Sequence, residues 1–280
     1  MPFSRLLPPD VIDRLQKEHL FVRQLKDDCL REQAFLAIRK DTIDFYHKGG
    51  RLFKYDTKHF HTHIKYASVI PRKGKDYLTE QELASGKHRL IDDFEKEYRR
   101  IKENCHLHAG VEALGVSYLY NQHSYLCNNN VVVLDIEVSF GAQESHRSQD
   151  RIDVLLFNKD TRTLQFVEAK HYSNKHLWST TKPRVIEQIE RYRNQIKAHK
   201  GQIIREYVRY IDYVNQLFSV SLPTPKHLED DVTLLIFGFD KDQQKGRLTT
   251  NIRQNPHYKN IQLYTIGNIK RIVSNNMWKA

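Results

Sequence analysis

The chain has 280 residues, of which 39% are hydrophobic and 11% aromatic, which is enough apolar surface for one large domain or a domain with a smaller appendage. Three scattered cysteines argue against a disulfide-stabilised scaffold and favour a reducing compartment. The formal net charge of +11 favours an acidic polymer as partner, because cations that contact phosphate release counterions; the alternative is a soluble protein that is simply basic.

The sequence also argues against membrane proteins and several enzyme classes. No stretch approaches the roughly 18 consecutive apolar residues of a membrane-spanning helix, and the amino terminus lacks a signal-peptide pattern. A phosphate-binding glycine-rich loop and the GxSxG and HExxH motifs are absent as well. We therefore expect a soluble, cytoplasmic protein that contacts no membrane and has no ATPase activity of its own.

The amino-terminal part predicts a helix followed by a β-meander. The helix is expected to begin with Asp10 as its cap and to run to Glu32. Short β-rich runs separated by polar turns then predict an antiparallel meander between Ala34 and Tyr66. A basic linker over Ile70 to Lys75 divides residues 1–75, either a substrate-recognition subdomain or a simple solvated sheet, from residues 76–280.

Residues 76–280 predict an α/β fold with a mixed central sheet flanked by helices. Thr79 to Glu82 fits a capping box for a helical stretch that reaches about Asn104, and a second helix is expected over His108 to Asn121. Core strands are expected at residues 131–140, 152–157, 163–170, 232–239 and 261–266, with a long helix that has Pro183 in its first turn and Thr180 or Thr181 as its cap. This order of elements fits a mixed sheet with helices on its faces.

Three charged residues interrupt two otherwise apolar strands, Ile152 to Phe157 and Thr163 to Lys170. Glu168 and Lys170 share one strand face because side chains alternate with a period of two, and Asp153 lies near the start of the preceding strand. Burying such charges is costly unless they are used. Two carboxylates and a lysine suit Mg²⁺ and a water that attacks phosphorus.

The spacing of these residues resembles a known family. Asp153, fourteen intervening residues and then Glu168-Ala169-Lys170 resembles the D…ExK signature of the PD-(D/E)XK nuclease superfamily, with Ile152 where the family name has proline. On the helix after that strand, Gln188 and Tyr192 resemble the QxxxY element of the RecB-like members. The resemblance covers roughly residues 107–266.

The resemblance implies a restriction-endonuclease-like core and a metal-dependent nuclease. Its Mg²⁺ or Mn²⁺ would be held by the Asp153 and Glu168 carboxylates and the Ala169 carbonyl, while Lys170 would orient the attacking water. Gln188 would support this constellation, and Tyr192 would pack the helix around it. DNA is the expected substrate, in restriction, phage defence or repair, and cutting both strands would favour a homodimer. The alternative is a nucleic-acid-binding module that keeps the fold without cleaving.

Two further glutamates are candidates for the same site. Glu112 matches by position an acidic residue on the helix before the first core strand that often joins the family's metal site; otherwise it is an exposed helix glutamate. Glu137 could reach the metal through water, or it could pair with Arg151. We expect Asp135 to be structural, and the polar loop 141–150 to contact phosphate or to be solvated.

Other polar clusters are weaker candidates. Asp44, Asp56 and Lys58 repeat the D…DxK pattern on the meander, but we expect these strands to be half-solvated and hence not catalytic. His59, His61 and His63 alternate onto one strand face, which is a possible metal geometry, but no neighbouring cysteine completes a site. Cys105 with His106 and His108 fits no common zinc spacing. Both sets are expected to be ordinary surface or core residues.

Overall fold

The computed structural model describes residues 3–69, 79–86, 89–140, 151–179 and 181–278. The predicted linker at Ile70 to Lys75 and the loop 141–150 lie outside the described residues. The strands are β1 (Phe35–Arg39), β2 (Thr42–His47), β3 (Gly50–Tyr55), β4 (Phe60–His61), β5 (Ser68–Val69), β6 (Arg89–Leu90), β7 (Val131–Ser139), β8 (Arg151–Asn158), β9 (Thr163–His171), β10 (His227–Phe237) and β11 (Leu263–Ile266). The α-helices are α1 (Val11–Leu15), α2 (Lys26–Leu30), α3 (Ile64–Ala67), α4 (Glu80–Ala84), α5 (Tyr98–Leu107), α6 (Val111–Gln122), α7 (Arg184–Phe218), α8 (Lys241–Gln243) and α9 (Ser274–Met277).

The predicted amino-terminal helix is broken into α1, a π-helical turn at Phe21–Leu25 and α2. Leu15, Leu20 and Leu25 are all buried, and this spacing of five residues drifts around an α-helix of about 3.6 residues per turn. The wider π-turn keeps such residues closer to one face. Asp10 is the N-cap residue of α1, as predicted, but its backbone is left-handed (φ 61°) and its side chain makes no cap bond.

Strands β1 to β4 form the predicted antiparallel meander, with neighbours paired in chain order. The expectation that its strands are half-solvated is wrong for β2, which is buried over almost its whole length. Aromatic packing covers one face of the meander: the ring of Phe45 on β2 lies 6.0 Å from Phe21, and the ring of its partner Phe53 on β3 is stacked 6.2 Å from Tyr98 of α5.

The capping box at the start of α4 is confirmed. The Thr79 hydroxyl accepts a hydrogen bond from the Glu82 amide, and the Glu82 carboxylate accepts one from the Thr79 amide. The helix does not continue to Asn104 as predicted, since it ends before Gly86, whose φ of 73° is left-handed. Strand β6 and an irregular segment separate it from α5.

The central sheet is mixed, as predicted, with the strand order β11-β10-β9-β8-β7. Strands β7, β8 and β9 pair antiparallel, whereas β9, β10 and β11 pair parallel. Apolar side chains on both faces of β8, β9 and β10 are buried, which is expected of strands covered by helices on both sides. The more specific restriction-endonuclease-like topology stays a prediction.

Helix α7 is one continuous element of 35 residues that lies against the sheet. Val185, Ile189, Tyr192 and Ile196 form its buried face, as the apolar spacing predicts. Thr180 lies outside the described residues, and Thr181 is not the cap, because Pro183 is the N-cap residue and makes no side-chain cap bond. Among the described residues, no helix is both long and apolar enough to cross a membrane.

The amino-terminal residues pack directly on the central sheet and α7. The Phe3 ring lies 5.3 Å from Phe140 and 5.7 Å from Tyr207 of α7. Apolar residues that follow Phe3 in the chain belong to the same buried core. Residues 3–69 thus share one hydrophobic core with the rest of the described protein. The division into two domains at residue 75 stays a prediction.

Candidate active site

Strand register aligns three carboxylates across β7, β8 and β9. Between β7 and β8, Ile136 pairs with Val154, and Val138 pairs with Ile152. Glu137 and Asp153 therefore occupy facing positions. On the other side of β8, Val154 pairs with Val167, so the next position brings Asp153 beside Glu168. The three acids form a row at one end of the sheet.

Lys170 lies among these carboxylates. Its Nζ is hydrogen-bonded to Oε1 of Glu168, which confirms that the two side chains share one strand face. The same Nζ lies 3.9 Å from Oδ2 of Asp153 and 3.8 Å from Oε1 of Glu112. Asp153 in turn accepts a hydrogen bond from the Ala169 amide at 2.8 Å. The predicted D…ExK residues thus converge at the ends of two adjacent strands.

Glu112 reaches the site from the first turn of α6. Its Oε2 accepts hydrogen bonds from the His171 amide and from Nδ2 of Asn174, each at 2.9 Å. These bonds hold the start of α6 against the end of β9. Glu112 is therefore beside Lys170 rather than an isolated surface glutamate, and Asn174, which the sequence did not single out, is its anchor.

A cavity of about 90 Å³ adjoins the row of acids. Its lining residues are Glu112, Glu137, Asp153, Tyr46, Gly49, Ala113, Val116, Tyr120 and Ile136. The three acidic side chains that line it are between 21% and 34% exposed, whereas Glu168 is 1% and Lys170 8% exposed. The cavity thus presents three accessible carboxylates in front of a sealed ion pair.

The β2–β3 turn forms one wall of this cavity. Gly49 has a φ of 86°, and a Cβ built there would lie 2.6 Å from the Ala113 backbone of α6. Its amide donates to the Tyr120 hydroxyl at 3.0 Å. Only glycine allows this close approach. The amino-terminal meander therefore contributes to the site itself, which the sequence did not reveal.

Glu137 pairs with Arg151, as one of its two interpretations predicts, whereas its contact with a metal through water stays a prediction. Its Oε2 lies 3.2 Å from Nη1 of Arg151, and its carboxylate also lines the cavity. Its backbone has a φ of 50°, a left-handed conformation that is uncommon for a residue other than glycine.

The charges in the cluster shift one another's ionisation. Burial raises the pKa of Asp153 to about 7, and the charge of Lys170 only partly offsets this rise. Burial, followed by the charge of Asp153, raises the pKa of Glu168 well above its usual range. Burial lowers the pKa of Lys170, but the carboxylates of Glu168, Asp153 and Glu112 outweigh burial and raise it. Lys170 is therefore protonated at neutral pH, and Asp153 and Glu168 retain their protons to higher pH than ordinary carboxyl groups.

Gln188 and Tyr192 brace the start of β8. Nε2 of Gln188 donates to the Tyr192 hydroxyl at 2.6 Å, and this hydroxyl donates to the Arg151 carbonyl at 2.7 Å. Arg151 precedes Asp153 by two residues. In the structure Gln188 is thus linked through Tyr192 to the backbone two residues before Asp153. Its predicted contact with a metal-bound water, with Lys170 or with DNA stays a prediction.

The site offers carboxylate oxygens to a divalent cation, but the acids are not gathered around one point. Within the described ranges, no group of three or more His, Cys, Asp or Glu side chains is arranged to hold a metal ion as it stands. The Lys170 ammonium provides the positive charge among the carboxylates instead. The chemistry nevertheless fits: carboxylate oxygens are the ligands Mg²⁺ prefers, and Oε2 of Glu168 is buried without a hydrogen-bond partner in the described part of the chain.

The other acidic set does not form a comparable cluster. Asp44 is buried beside Arg39 and Arg51, at 3.7 and 3.4 Å, whereas Asp56 lies on a turn with His61 at 2.7 Å. His59 and His63 are exposed as expected. All three cysteines are free, in agreement with the expectation of no disulfide framework.

Asp135 is structural, as expected, and its partners come from distant parts of the chain. It is completely buried and lies 2.9 Å from Arg5 and 2.7 Å from Arg39. Neither arginine was identified from the sequence. The available signal was only that a buried-strand aspartate requires a cation, and the sequence does not say which one.

No family model, curated protein or solved structure matches this chain.

Proposed function

We propose that this protein is a divalent-cation-dependent nuclease of the PD-(D/E)XK type that hydrolyses phosphodiester bonds in DNA. The observation that supports the proposal is the convergence of Asp153, Glu168 and Lys170 at adjacent strand ends, with Glu112 entering from α6. Four charged groups from three elements brought close together are costly to bury, and catalysis is the use that compensates this cost.

The acidic residues are the groups that would hold Mg²⁺ or Mn²⁺: Asp153 and Glu168, with the Ala169 carbonyl and the cavity-lining Glu112 and Glu137. When bound, such an ion supplies Lewis acidity and lowers the pKa of water. Asp153 is held in place by the Ala169 amide and Glu112 by the His171 amide, so two of the carboxylates are oriented by the backbone before any ligand arrives. This preorganisation reduces the cost of binding a cation.

Lys170 would act as a cation rather than as a base. Its pKa is raised by the surrounding carboxylates against the effect of burial, so the ammonium keeps its proton at neutral pH. A positioned ammonium can donate hydrogen bonds to the attacking water and stabilise the negative charge that develops on the phosphate oxygens. Its side chain is 8% exposed, so these interactions would occur in a largely water-excluded site.

Charge supports a nucleic acid as the substrate, and the resemblance to the nuclease superfamily favours DNA. The chain carries a net charge of +11, and the segment from His171 to Arg184, directly after the catalytic strand, contains no acidic residue. Arg151 at the site is 60% exposed and Lys175 lies on the surface nearby. Such cations bind phosphate without reading sequence.

A second candidate is a nucleic-acid-binding module that does not cleave. It is supported by the Glu168–Lys170 ion pair, which neutralises the most buried carboxylate internally. In this reading the cluster is a structural ion pair, and only the basic surface contacts the partner.

The deciding experiment is cleavage of linear, circular and single-stranded DNA with Mg²⁺ or Mn²⁺. Wild type, Asp153→Ala and Lys170→Ala would be compared, with Asp56→Ala as the matched acidic control from the surface turn of the meander. We expect metal-dependent cleavage that EDTA and both site substitutions abolish and that the control retains. DNA binding without cleavage, unchanged by either site substitution, would support the binding module instead. Cleavage that survives both substitutions would exclude this site.

A further inference from the structure

Strand β7 contains a β-bulge shortly before Glu137. Val133 pairs with Leu156, but Asp135 pairs with Leu155, so Leu134 is an extra residue with no partner position on β8. A bulge of this kind shifts the register of all following residues by one.

The shift decides which side chain faces Asp153. With the bulge, Glu137 faces Asp153 and both side chains line the cavity. Without it, Asp153 would face Ile136, and Glu137 would point to the opposite face of the sheet, because a slip of one residue reverses every side chain. The third carboxylate of the cavity is therefore present only because β7 is bulged.

A buried polar cluster surrounds the bulge. The Asp135 carboxylate accepts from Nη1 of Arg39 at 2.7 Å through Oδ1, and through Oδ2 from Nη2 of Arg5 and the Tyr207 hydroxyl, each at 2.9 Å. Asp135 is 0% and Arg5 3% exposed. The amide of Arg5 also donates to Glu206 of α7 at 2.7 Å, which secures the amino-terminal segment.

Arg39 also holds the backbone next to Glu137. Its Nη2 donates to the Ile136 carbonyl at 2.6 Å, and the Ile136 amide donates to Oδ1 of Asp135 at 2.8 Å. Both the amide and the carbonyl of Ile136 are thus hydrogen-bonded to the buried polar cluster. Glu137 follows immediately, in its left-handed conformation. A backbone conformation of this kind persists only where its surroundings enforce it.

We propose that Arg39 of β1, acting with Arg5 through Asp135, is a positioning residue that sets the strand register of Glu137 and so places this carboxylate in the active site. The proposal rests on the proposed function for its catalytic consequence, but its structural part is independent of it. It assigns the amino-terminal meander to the catalytic unit, because β1 supplies the residue that holds the bulge.

The register is tested by disulfide formation in the full chain carrying Cys127→Ser. Glu137→Cys with Asp153→Cys reports the bulged register, and Ile136→Cys with Asp153→Cys reports the unbulged one. Each pair is made in the wild-type background, with Arg39→Lys, and with Arg51→Lys as the control. Arg51 shares Asp44 with Arg39, but its described ion pairs do not include Asp135, so it controls for the loss of the Asp44 contact. Arg39→Lys retains the positive charge but cannot bond the carboxylate and the carbonyl with separate guanidinium nitrogens.

We expect Arg39→Lys to lower oxidation yield of the 137–153 pair and to raise that of the 136–153 pair, while Arg51→Lys changes neither. Unchanged yields for both pairs in Arg39→Lys would overturn the proposal. Arg39→Met, which leaves the buried carboxylate with one cation fewer, would be made as a stronger variant, with circular dichroism reporting whether it folds.

The catalytic consequence is tested by a double-mutant cycle between Arg39→Lys and Glu137→Gln. Loss of an outer partner of a metal ligand reduces metal affinity or activity by about 10- to 100-fold. We expect this loss in Mn²⁺ affinity, measured by electron paramagnetic resonance, and in kcat for Arg39→Lys alone, with no further loss in the Glu137→Gln background. Losses that multiply would contradict the proposal. If the wild type cleaves nothing, the proposed function fails while the disulfide yields still decide the role of Arg39.

Discussion

Lys170 and Glu168, two residues apart on one strand face, form a buried ion pair at the end of β9. A charge pair in this position normally destabilises a strand end relative to apolar residues. Here it lies behind three more accessible carboxylates, and one oxygen of Glu168 has no hydrogen-bond partner in the described structure. These features agree with the proposed function, in which the cluster would sacrifice stability for catalysis.

Breaking this pair from either side should cost more than removing it altogether. Lys170→Met leaves the Glu168 carboxylate buried without its partner, and loss of one member of a buried pair costs about 3–5 kcal/mol. We expect the double variant Lys170→Met with Glu168→Leu to recover much of the free energy of unfolding, measured by urea denaturation. Lys182→Met is the control, because its pair with Glu190 is exposed and such pairs contribute about 0–1 kcal/mol. A double variant less stable than either single variant would contradict this account.

The stability of the metal-free protein should depend on pH through Asp153. Burial raises the pKa of this carboxyl to about 7, well above its unfolded value of about 3.9. The folded state therefore binds more protons than the unfolded state between these two values, so the contribution to stability is complete below about pH 4 and is lost as pH rises towards about 7. Asp153→Asn should then be more stable than wild type at pH 7, by about 0.5–2 kcal/mol, with the difference shrinking towards pH 4.

Asp56 provides a control of opposite sign for this pH series. Hydrogen bonds from the His59 amide, the His61 side chain and the Lys58 amide hold its pKa below the usual range. Asp56→Asn should therefore lose stability relative to wild type as pH rises through the ordinary carboxyl range. Thermal unfolding at several pH values, in the presence of EDTA, measures both variants. If the melting temperatures of Asp153→Asn and wild type changed with pH in the same way, Asp153 would not titrate near neutrality.

Tyr192 should matter more than Gln188 if both act through the β8 backbone. Tyr192→Phe removes the bond to the Arg151 carbonyl and is expected to cost about 1 kcal/mol of stability and part of kcat. Gln188→Leu leaves that bond in place and should have the smaller effect on kcat. Measurement of kcat, KM and thermal stability for both variants tests this order. Loss of activity in Gln188→Leu alone, with stability unchanged, would instead indicate that Gln188 contacts substrate or the attacking water.

Glu112 should contribute to cation binding rather than to folding. Glu112→Gln keeps a carbonyl oxygen for the His171 amide and Asn174 but removes the charge. We expect Mn²⁺ affinity, measured by calorimetry, to fall about 10-fold with little change in melting temperature. Asn174→Ala removes one hydrogen bond to the Glu112 side chain but keeps its carboxylate, so the loss of Mn²⁺ affinity should be smaller. Wild-type Mn²⁺ affinity in Glu112→Gln would remove Glu112 from the site.

Local patterns along the sequence were sufficient for the core strands, α6, the capping box at Thr79 and the convergence of Glu168 with Lys170. These features depend on residues close together in the chain, where periodicity and cap chemistry act directly. The interrupted amino-terminal helix and the buried meander were missed, because their outcome depends on aromatic partners such as Phe21 and Tyr98 that approach from elsewhere.

The sequence by itself determined the chemical composition of the site: which strands carry Asp153, Glu168 and Lys170, and that alternation places the last two on one face. Only the tertiary structure decided which other carboxylates join them. Glu137 faces Asp153 through a bulge that Arg5, Arg39 and Asp135 surround, and residues 5 and 135 are 130 positions apart. Register across strands depends on such long-range contacts, which no local period encodes.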